Sequence, residues 1–204
     1  GETAMEEVRS VLADGKYLQA AKACEKIELE TREDTCQLEW VYAIQMISHM
    51  IANQLNDARF CWKRVPETLR QSGELRAICK VLESLWDKDY VGFHAKASAY
   101  EWSELLQPLM SVLAGEVKAK IEALISQVYT SISLEDLSTI LPTSKEEVNK
   151  VIEKNGWKLD AGSNMVKITK QDVESDKSIP ESSLQQMTKY VVHLDTENFK
   201  NYSN

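Results

Sequence analysis

The side chains of this chain best suited to metal binding or proton transfer are its three histidines, His49, His94 and His193. A zinc site or a metalloprotease needs histidines at short, fixed spacings, such as His-x-His or His-Glu-x-x-His, so that two imidazoles reach one ion. The three histidines are scattered, and none lies in such a pattern. The glycines do not cluster into a phosphate-binding loop either. We therefore expect no catalytic residue, no metal site and no cofactor.

The four cysteines, Cys24, Cys36, Cys61 and Cys79, all lie in the first half of the chain. They form no Cys-x-x-Cys pair, and their neighbours are apolar or helix-forming. This pattern is typical of free, buried or half-buried thiols in a reducing compartment rather than of a zinc site. We expect an intracellular protein.

One stretch, residues 56–66, combines cations with aromatic side chains. A helix here places Arg59 and Lys63 one turn apart. One interpretation is a basic, aromatic patch that binds RNA or an acidic partner. The other is a repeat helix in which Ala58 and Trp62 pack inward while the cations stay in water. We favour the second, because no other basic stretch lies nearby to extend the patch.

A second stretch, residues 100–110, contains Tyr100 and Trp102. These two rings can cradle a ligand, or they can belong to the core at a junction between helices. We favour the core, where aromatic rings bury a large apolar area.

Charge and composition exclude two classes of partner. The chain has 204 residues, a formal net charge of -8 and 43% hydrophobic residues. That length can bury a sizeable core. The negative charge disfavours nucleic acid or an anionic membrane as the main ligand. No apolar run approaches the roughly 20 residues that a membrane-spanning helix needs.

Residues 1–130 are predicted to form a right-handed array of helical repeats. Apolar residues recur at helical spacing in two of its segments, which are Trp40, Ile44, Ile47 and Ile51, then Leu75, Ile78, Leu82 and Leu85. We place breaks between helices near Gly15, residues 53–56, Pro66, Gly73, residues 87–89 and Gly115.

Residues 131–170 have the pattern of a small winged helix: two short helices, then a β-hairpin whose turn is residues 161–164. Six acidic residues balance six lysines in this segment. A DNA-binding winged helix requires an excess of Lys and Arg, and the second helix of this segment has none. We therefore expect a protein partner at the edge of the hairpin, bound through Val166, Lys167 and Ile168.

The last segment is predicted to be a polar linker at residues 171–179 and a helix with a frayed tail at residues 180–204. A narrow apolar stripe of this kind is the seam of a helix bundle. The residues expected to bind partner helices are Leu184, Met187, Tyr190, Val191 and Leu194.

Several motifs occur here in an order that resembles the subunit-eight family of the constitutive photomorphogenesis (COP) signalosome, a PCI-domain family. They are Asn56-Asp-Ala-Arg-Phe-x-Trp-Lys-Arg-Val-Pro66, Glu101-Trp-Ser103 followed by Gln107-Pro-Leu-Met110, Ser126-Gln-Val-Tyr-Thr-Ser-Ile132, Asn155-Gly-Trp157, and Thr188-Lys-Tyr-Val-Val-His-Leu194. The resemblance covers residues 56–194. PCI subunits of the proteasome lid and the k subunit of translation initiation factor three are similar in size and layout, and they remain alternatives.

The resemblance implies a mostly α fold: the helical-repeat array, the winged helix of a PCI domain and a C-terminal helix. It also implies a scaffold subunit without catalytic activity, located in the cytoplasm and nucleus. The partners would be other PCI subunits, with subunit three adjacent, and a bundle of C-terminal helices. In such complexes the winged helices join edge to edge. Removal of the ubiquitin-like modifier from cullins belongs to a separate metalloprotease-type subunit.

Overall fold

A computed structural model describes residues 2–31, 38–141 and 144–169 of the chain. Most of these residues are helical, and the described part also contains one three-stranded sheet. The mostly α character predicted from the sequence is therefore confirmed. The predicted linker and C-terminal helix lie outside the described residues, and so do Leu184, Met187, Tyr190, Val191 and Leu194.

The chain divides into two compact units, residues 1–117 and 118–204. The helices that begin in the first unit are α1 (Glu2–Ala13), α2 (Tyr17–Glu30), α3 (Glu39–Ile51), α4 (Leu55–Arg64), α5 (Glu67–Arg70), α6 (Gly73–Trp86), α7 (Tyr90–Ser98) and α8 (Gln107–Val128). The division falls inside α8, whereas the sequence pattern puts the boundary after residue 130. In the second half of α8, Glu122 accepts hydrogen bonds from Lys154 and Asn155 of the second unit.

Most breaks between the helices of the first unit fall where the sequence predicts them. Gly15, Asn53 and Lys88 have φ values of 71°, 58° and 56°. This left-handed conformation ends a helix and is easiest for Gly and Asn. The break predicted at Gly115 is wrong, because this residue lies within α8. A glycine inside a helix costs only about 1 kcal/mol relative to alanine, and buried residues on both sides outweigh that cost.

The first unit has its core around α3, which packs against α2, α4 and α6. Residues 41–48 and Met50 are all buried. The apolar stripe predicted for this helix is therefore too narrow, although Ile44 and Ile47 within it are fully buried. No charged side chain occurs between Glu39 and the end of the buried stretch, so α3 can pack against other helices on several sides. By contrast, α6 buries the predicted Leu75, Ile78, Leu82 and Leu85 along one face.

The second unit contains the rest of α8 and the elements β1 (Ser131–Ser133), α9 (Leu134–Ile140), α10 (Lys145–Lys154), β2 (Lys158–Asp160) and β3 (Met165–Lys167). At the end of α10, Gly156 has a φ of 67°. Gly156 N donates to Glu153 O at 3.1 Å, and Trp157 N donates to Ile152 O at 2.9 Å. These two bonds form a Schellman motif, which turns the chain sharply from α10 into β2.

Among the described residues, no helix combines the length and the low charge needed to span a bilayer.

Candidate protein-binding interface

The sheet of the second unit has the strand order β1-β3-β2. The hairpin of β2 and β3 agrees with the prediction, but the prediction that Val166, Lys167 and Ile168 form its exposed edge is wrong. They belong to the central strand and its end: Val166 has no exposed surface, and Ile168 N donates to Thr130 O at 3.0 Å. The cause is β1, a three-residue strand that covers the expected edge and is too short to show a sequence period.

Among the described strands, β2 is the free edge of the hairpin. On the other side of β3, Ile168 N donates to Thr130 O at 3.0 Å, and Leu134 N donates to Asn164 O at 2.9 Å. Backbone groups of successive residues point alternately to the two sides of a strand, so the even-numbered residues of β3 bond to β1 and the odd-numbered ones to β2. The odd-numbered residues Met165 and Lys167 face Asp160 and Lys158, so the middle residue of β2, Leu159, makes no backbone hydrogen bond to β3. Its N–H and C=O therefore point away from the sheet.

We call Lys158, Leu159 and Asp160 the β2 edge. All three side chains are exposed, and 41% of the surface of Leu159 is accessible. Trp157, two residues earlier in the chain, is buried by contrast. An exposed apolar side chain between two charged ones, on a strand whose outer backbone groups pair with no described strand, is the kind of edge that accepts a strand from another protein.

The turn beside the β2 edge is held by Asp160. Gly162 N donates to Asp160 Oδ1 at 3.1 Å, and Ser163 Oγ donates to Asp160 Oδ2 at 2.9 Å. The bond from Ser163, followed by that from Gly162, lowers the pKa of the Asp160 carboxyl below its usual value. These bonds fix the end of β2, so the edge is presented as a preformed strand.

The helix α10 is poorly suited to DNA. Lys154 Nζ lies 3.0 Å from Glu122 Oε2, a carboxylate on α8 that is 5% exposed as a residue. Asn155 Nδ2 also donates to Glu122 Oε2, at 3.3 Å. One of the cations of this helix is thus already paired within the unit. Acidic Glu146 and Glu147 are exposed on its first turn. Among the described residues of this helix, paired and acidic groups offset the cations, which disfavours phosphate contacts.

The described cysteines are shielded thiols. Burial raises the pKa of Cys24 and Cys61 to about 12, and burial together with nearby Glu83 raises that of Cys79 to about 11. Only the thiolate is a good nucleophile or metal ligand, and it is scarce at neutral pH for such groups. Cys36 lies outside the described residues.

The two described histidines are far from one another in sequence and have local partners. His49 Nδ1 lies 3.1 Å from Gln54 Oε1, and the His94 ring packs edge-on against Phe93 with centroids 5.1 Å apart. Within the part of the chain that the structure describes, no group of three His, Cys, Asp or Glu side chains could hold a metal ion. His193 lies beyond it.

The basic, aromatic stretch at residues 56–66 forms most of α4. Ala58 is buried as predicted, and Trp62 is half-buried. The sequence pattern did not predict two contacts of this stretch with other helices. Arg64 is bonded to Glu28 of α2 (Nε to Oε1 at 3.0 Å), and the Arg59 guanidinium lies over the ring of Trp86 in α6, 5.0 Å from its centroid. Both partners lie more than twenty residues away in sequence, so no local signal could reveal them.

The two aromatic residues predicted to belong to the core contact each other and a nearby backbone carbonyl. The rings of Tyr100 and Trp102 are 4.8 Å apart, and Trp102 Nε1 donates to Ala97 O at 2.7 Å. Both residues are half-buried. The two rings contact each other at an interplanar angle of 52°, so no space for a ligand lies between them.

Comparison with known proteins adds the family to this geometry. A family model with the description CSN8/PSMD8/EIF3K family matches residues 37–177. The chain is similar to COP9 signalosome complex subunit 8 of Xenopus laevis, with 33% identity over 190 residues, 91% of this chain and 97% of the relative.

Two other relatives have the same name. COP9 signalosome complex subunit 8 of Danio rerio is 32% identical over 157 residues, which cover 76% of this chain and 82% of the relative. The protein of that name in Arabidopsis thaliana is 27% identical over 191 residues, which cover 92% of this chain and 97% of the relative. The similarity therefore extends over most of the chain in vertebrates and in a plant.

Proposed function

The chain belongs to the CSN8/PSMD8/EIF3K family, and from that premise we propose that it is a non-catalytic scaffold subunit of a COP9-type signalosome. In this role it holds neighbouring subunits in a complex that removes the ubiquitin-like modifier from cullins, while another subunit performs the reaction. It would act in the cytoplasm and nucleus, where the resemblance locates such complexes.

The observation that carries the proposal is the shared name of the relatives. The family description also covers the two alternatives, a subunit of the proteasome lid and the k subunit of initiation factor three. The relatives reported above are all signalosome subunits by name, and their similarity spans nearly the whole of two of them. This favours the signalosome over the other two complexes.

The proposed mode of assembly is pairing of the β2 edge with a strand of an adjacent PCI subunit, subunit three in the arrangement that the resemblance implies. The helices α9 and α10 with the sheet order β1-β3-β2 support a winged helix that follows a helical-repeat array. The outward N–H and C=O of Leu159 supply hydrogen bonds, and its exposed side chain supplies apolar contact. The pairing thus needs no rearrangement of the sheet.

The second proposed contact is a C-terminal helix that joins a bundle through Leu184, Met187, Tyr190, Val191 and Leu194. Each large apolar side chain that such a bundle buries contributes about 1.5–3 kcal/mol. Four of them can outweigh the cost of ordering one helix. Replacing Leu184, Met187, Val191 and Leu194 with Ser should prevent stable incorporation. Unchanged incorporation would count against the bundle and leave the proposed membership intact.

Membership is tested by purifying the tagged full chain from native extract and identifying its companions by mass spectrometry. Recovery of the cullin-modifier protease subunit with other signalosome subunits is the expected result. Recovery of lid subunits or of initiation factor three in its place would overturn the proposal in favour of an alternative.

The pairing mode has its own test in Leu159→Pro. The N–H of Leu159 points outward, so proline removes no bond to β3, and an edge strand tolerates it. It blocks the addition of another strand. The control is Leu159→Thr, which keeps the N–H and the strand propensity. We expect the proline variant, once shown by circular dichroism to be folded, to be lost from the complex while the threonine variant remains. Equal incorporation of both variants would rule out pairing at this edge.

A further inference from the structure

A basic groove lies between α6 and α7 on the first unit. It has a volume of about 490 Å³. Its charged walls are Arg76, Lys80 and Lys96, and its remaining lining is Gly73, Ala77, Ala99 and Tyr100. A positive groove is unexpected on a chain whose net charge is -8.

No carboxylate among the described residues forms an ion pair with a cation of the groove. Arg76 and Lys80 are exposed and take part in no ion pair with the described residues. Lys96 is half-buried, and its ammonium donates to Ser84 Oγ at 2.7 Å. Ser84 Oγ in turn donates to Lys80 O at 3.2 Å, so its lone pairs face Lys96. A buried neutral hydroxyl thus positions this ammonium without compensating its charge.

Two carboxylates near Tyr100, those of Glu74 and Glu39, accept hydrogen bonds from residues that do not line the groove. Glu74 Oε1 accepts a hydrogen bond from Ser103 N at 2.9 Å, and Glu39 accepts one from Ser72 Oγ. Neither forms an ion pair with a cation of the groove. Three cationic side chains therefore line one concave surface, and none of them forms an ion pair with a described residue. Low-dielectric walls strengthen the field of such a cleft.

The floor of the groove is made of small residues. Ala77 lies one turn after Gly73 on α6, and a Cβ atom added to Gly73 would meet the hydroxyl of Tyr100 at 3.4 Å. Small side chains between long cationic ones let a polypeptide backbone come close while its side chains reach the walls. This shape suits an extended peptide better than a compact ion.

We propose that the basic groove binds a segment of a partner protein rich in Asp and Glu. A short acidic segment needs only the groove, whereas a long nucleic acid would also meet the negative remainder of the surface and be repelled. The proposal concerns the first unit alone and does not depend on the β2 edge or on membership of a particular complex.

The test uses the purified full chain and a fluorescein-labelled peptide of alternating Glu and Ala, with the Gln-Ala peptide as the uncharged probe. Binding is followed by fluorescence anisotropy at low and at physiological salt. The groove variant is R76E/K80E, and the matched control is K22E/K150E. The control reverses two exposed cations that have no ion pair among the described residues, so both variants have the same net charge. Lys96→Gln is the second groove variant, and circular dichroism checks that each protein is folded.

The proposal is supported if the Glu peptide binds and its affinity falls as salt is added. The R76E/K80E variant should lower that affinity by about tenfold or more. Lys96→Gln should weaken it severalfold, and K22E/K150E should change it far less than the groove variants do. The proposal is overturned if the Glu and Gln peptides bind alike or if the control variant loses as much affinity as the groove variant. Tighter binding of a labelled single-stranded RNA, lost in R76E/K80E, would also overturn it in favour of nucleic acid.

Discussion

Arg64 of α4 donates two parallel hydrogen bonds to Glu28 of α2, Nε to Oε1 at 3.0 Å and Nη2 to Oε2 at 3.1 Å. Tyr42 of α3 donates to the same carboxylate at 3.4 Å, and the amide of nearby Gln45 lies beside both charged groups. The side chain of Glu28 is only 12% exposed. Three helices of the first unit therefore meet at one charged group.

Removing this charge should destabilise the first unit. Glu28→Gln keeps the shape but weakens the bidentate pair, and we expect a loss of about 1–2 kcal/mol in the free energy of unfolding. The estimate is at the lower end for charged hydrogen bonds because Arg64 is 42% exposed, and solvent screens it. Urea denaturation measures the loss. Lys63→Ala is the control, since its exposed ammonium makes no ion pair with a described residue. A Glu28→Gln protein as stable as the wild type would show that the pair is energetically neutral.

The buried thiols predict a loss of stability in alkali. Burial raises the pKa of Cys24 and Cys61 from 9.0 to about 12. Below pH 9 both thiols are neutral in the folded and unfolded chain, and their full contribution is present. As the pH rises above that value the unfolded thiols ionise first, so stability falls until the folded pKa is reached.

Between pH 8 and pH 10 we expect the free energy of unfolding to fall by about 2–3 kcal/mol, roughly half of it from each buried thiol. The measurement is urea denaturation at both pH values in a background with Cys36→Ser and Cys79→Ser. Adding C24A/C61A should remove most of this pH dependence, whatever its effect on absolute stability. An unchanged slope in that variant would contradict the assignment.

The N-cap of α9 predicts that two serines differ in their contribution to stability: Ser133, which caps the helix, and Ser138, which lies within it. Ser133 Oγ accepts from Asp136 N at 3.0 Å and donates to Asp136 Oδ2 at 2.6 Å. Ser133→Ala should cost about 1 kcal/mol of stability. Ser138→Ala should be neutral or slightly stabilising, because Ser138 Oγ only donates back to Leu134 O and alanine is the better helix former. Thermal denaturation compares the two variants, and equal losses would argue against the cap.

The contact between Glu122 and Lys154 predicts energetic coupling across the second unit. The carboxylate is 6% exposed as a side chain, whereas the lysine side chain is 67% exposed. In a double-mutant cycle of Glu122→Gln and Lys154→Ala, we expect a coupling of about 1 kcal/mol in the free energy of unfolding. Lys150→Ala in place of Lys154→Ala should show no coupling. Additive losses for the first pair would mean that the ammonium and the carboxylate do not stabilise each other.

Local sequence pattern was sufficient for most of the helices and for the hairpin turn. The spacing of Leu75, Ile78, Leu82 and Leu85 makes one face of α6, and all four are buried. The lack of glycine clusters and the balanced charge of residues 131–170 were readable from composition alone. So were the motifs that match the family. These properties depend on neighbours within a few turns of the chain, which sequence places next to each other by itself.

Tertiary structure alone decided which strand is the edge and which cations meet. β3 is central because β1 pairs with it on the side opposite β2. β1 has only three residues, so its side-chain pattern does not predict which strand it pairs with. Arg64 meets Glu28, and Lys96 joins Arg76 and Lys80, only because α2, α4, α6 and α7 pack as they do. Backbone pairing and charge convergence join residues far apart in sequence. They follow from packing across the core, and no local spacing encodes them.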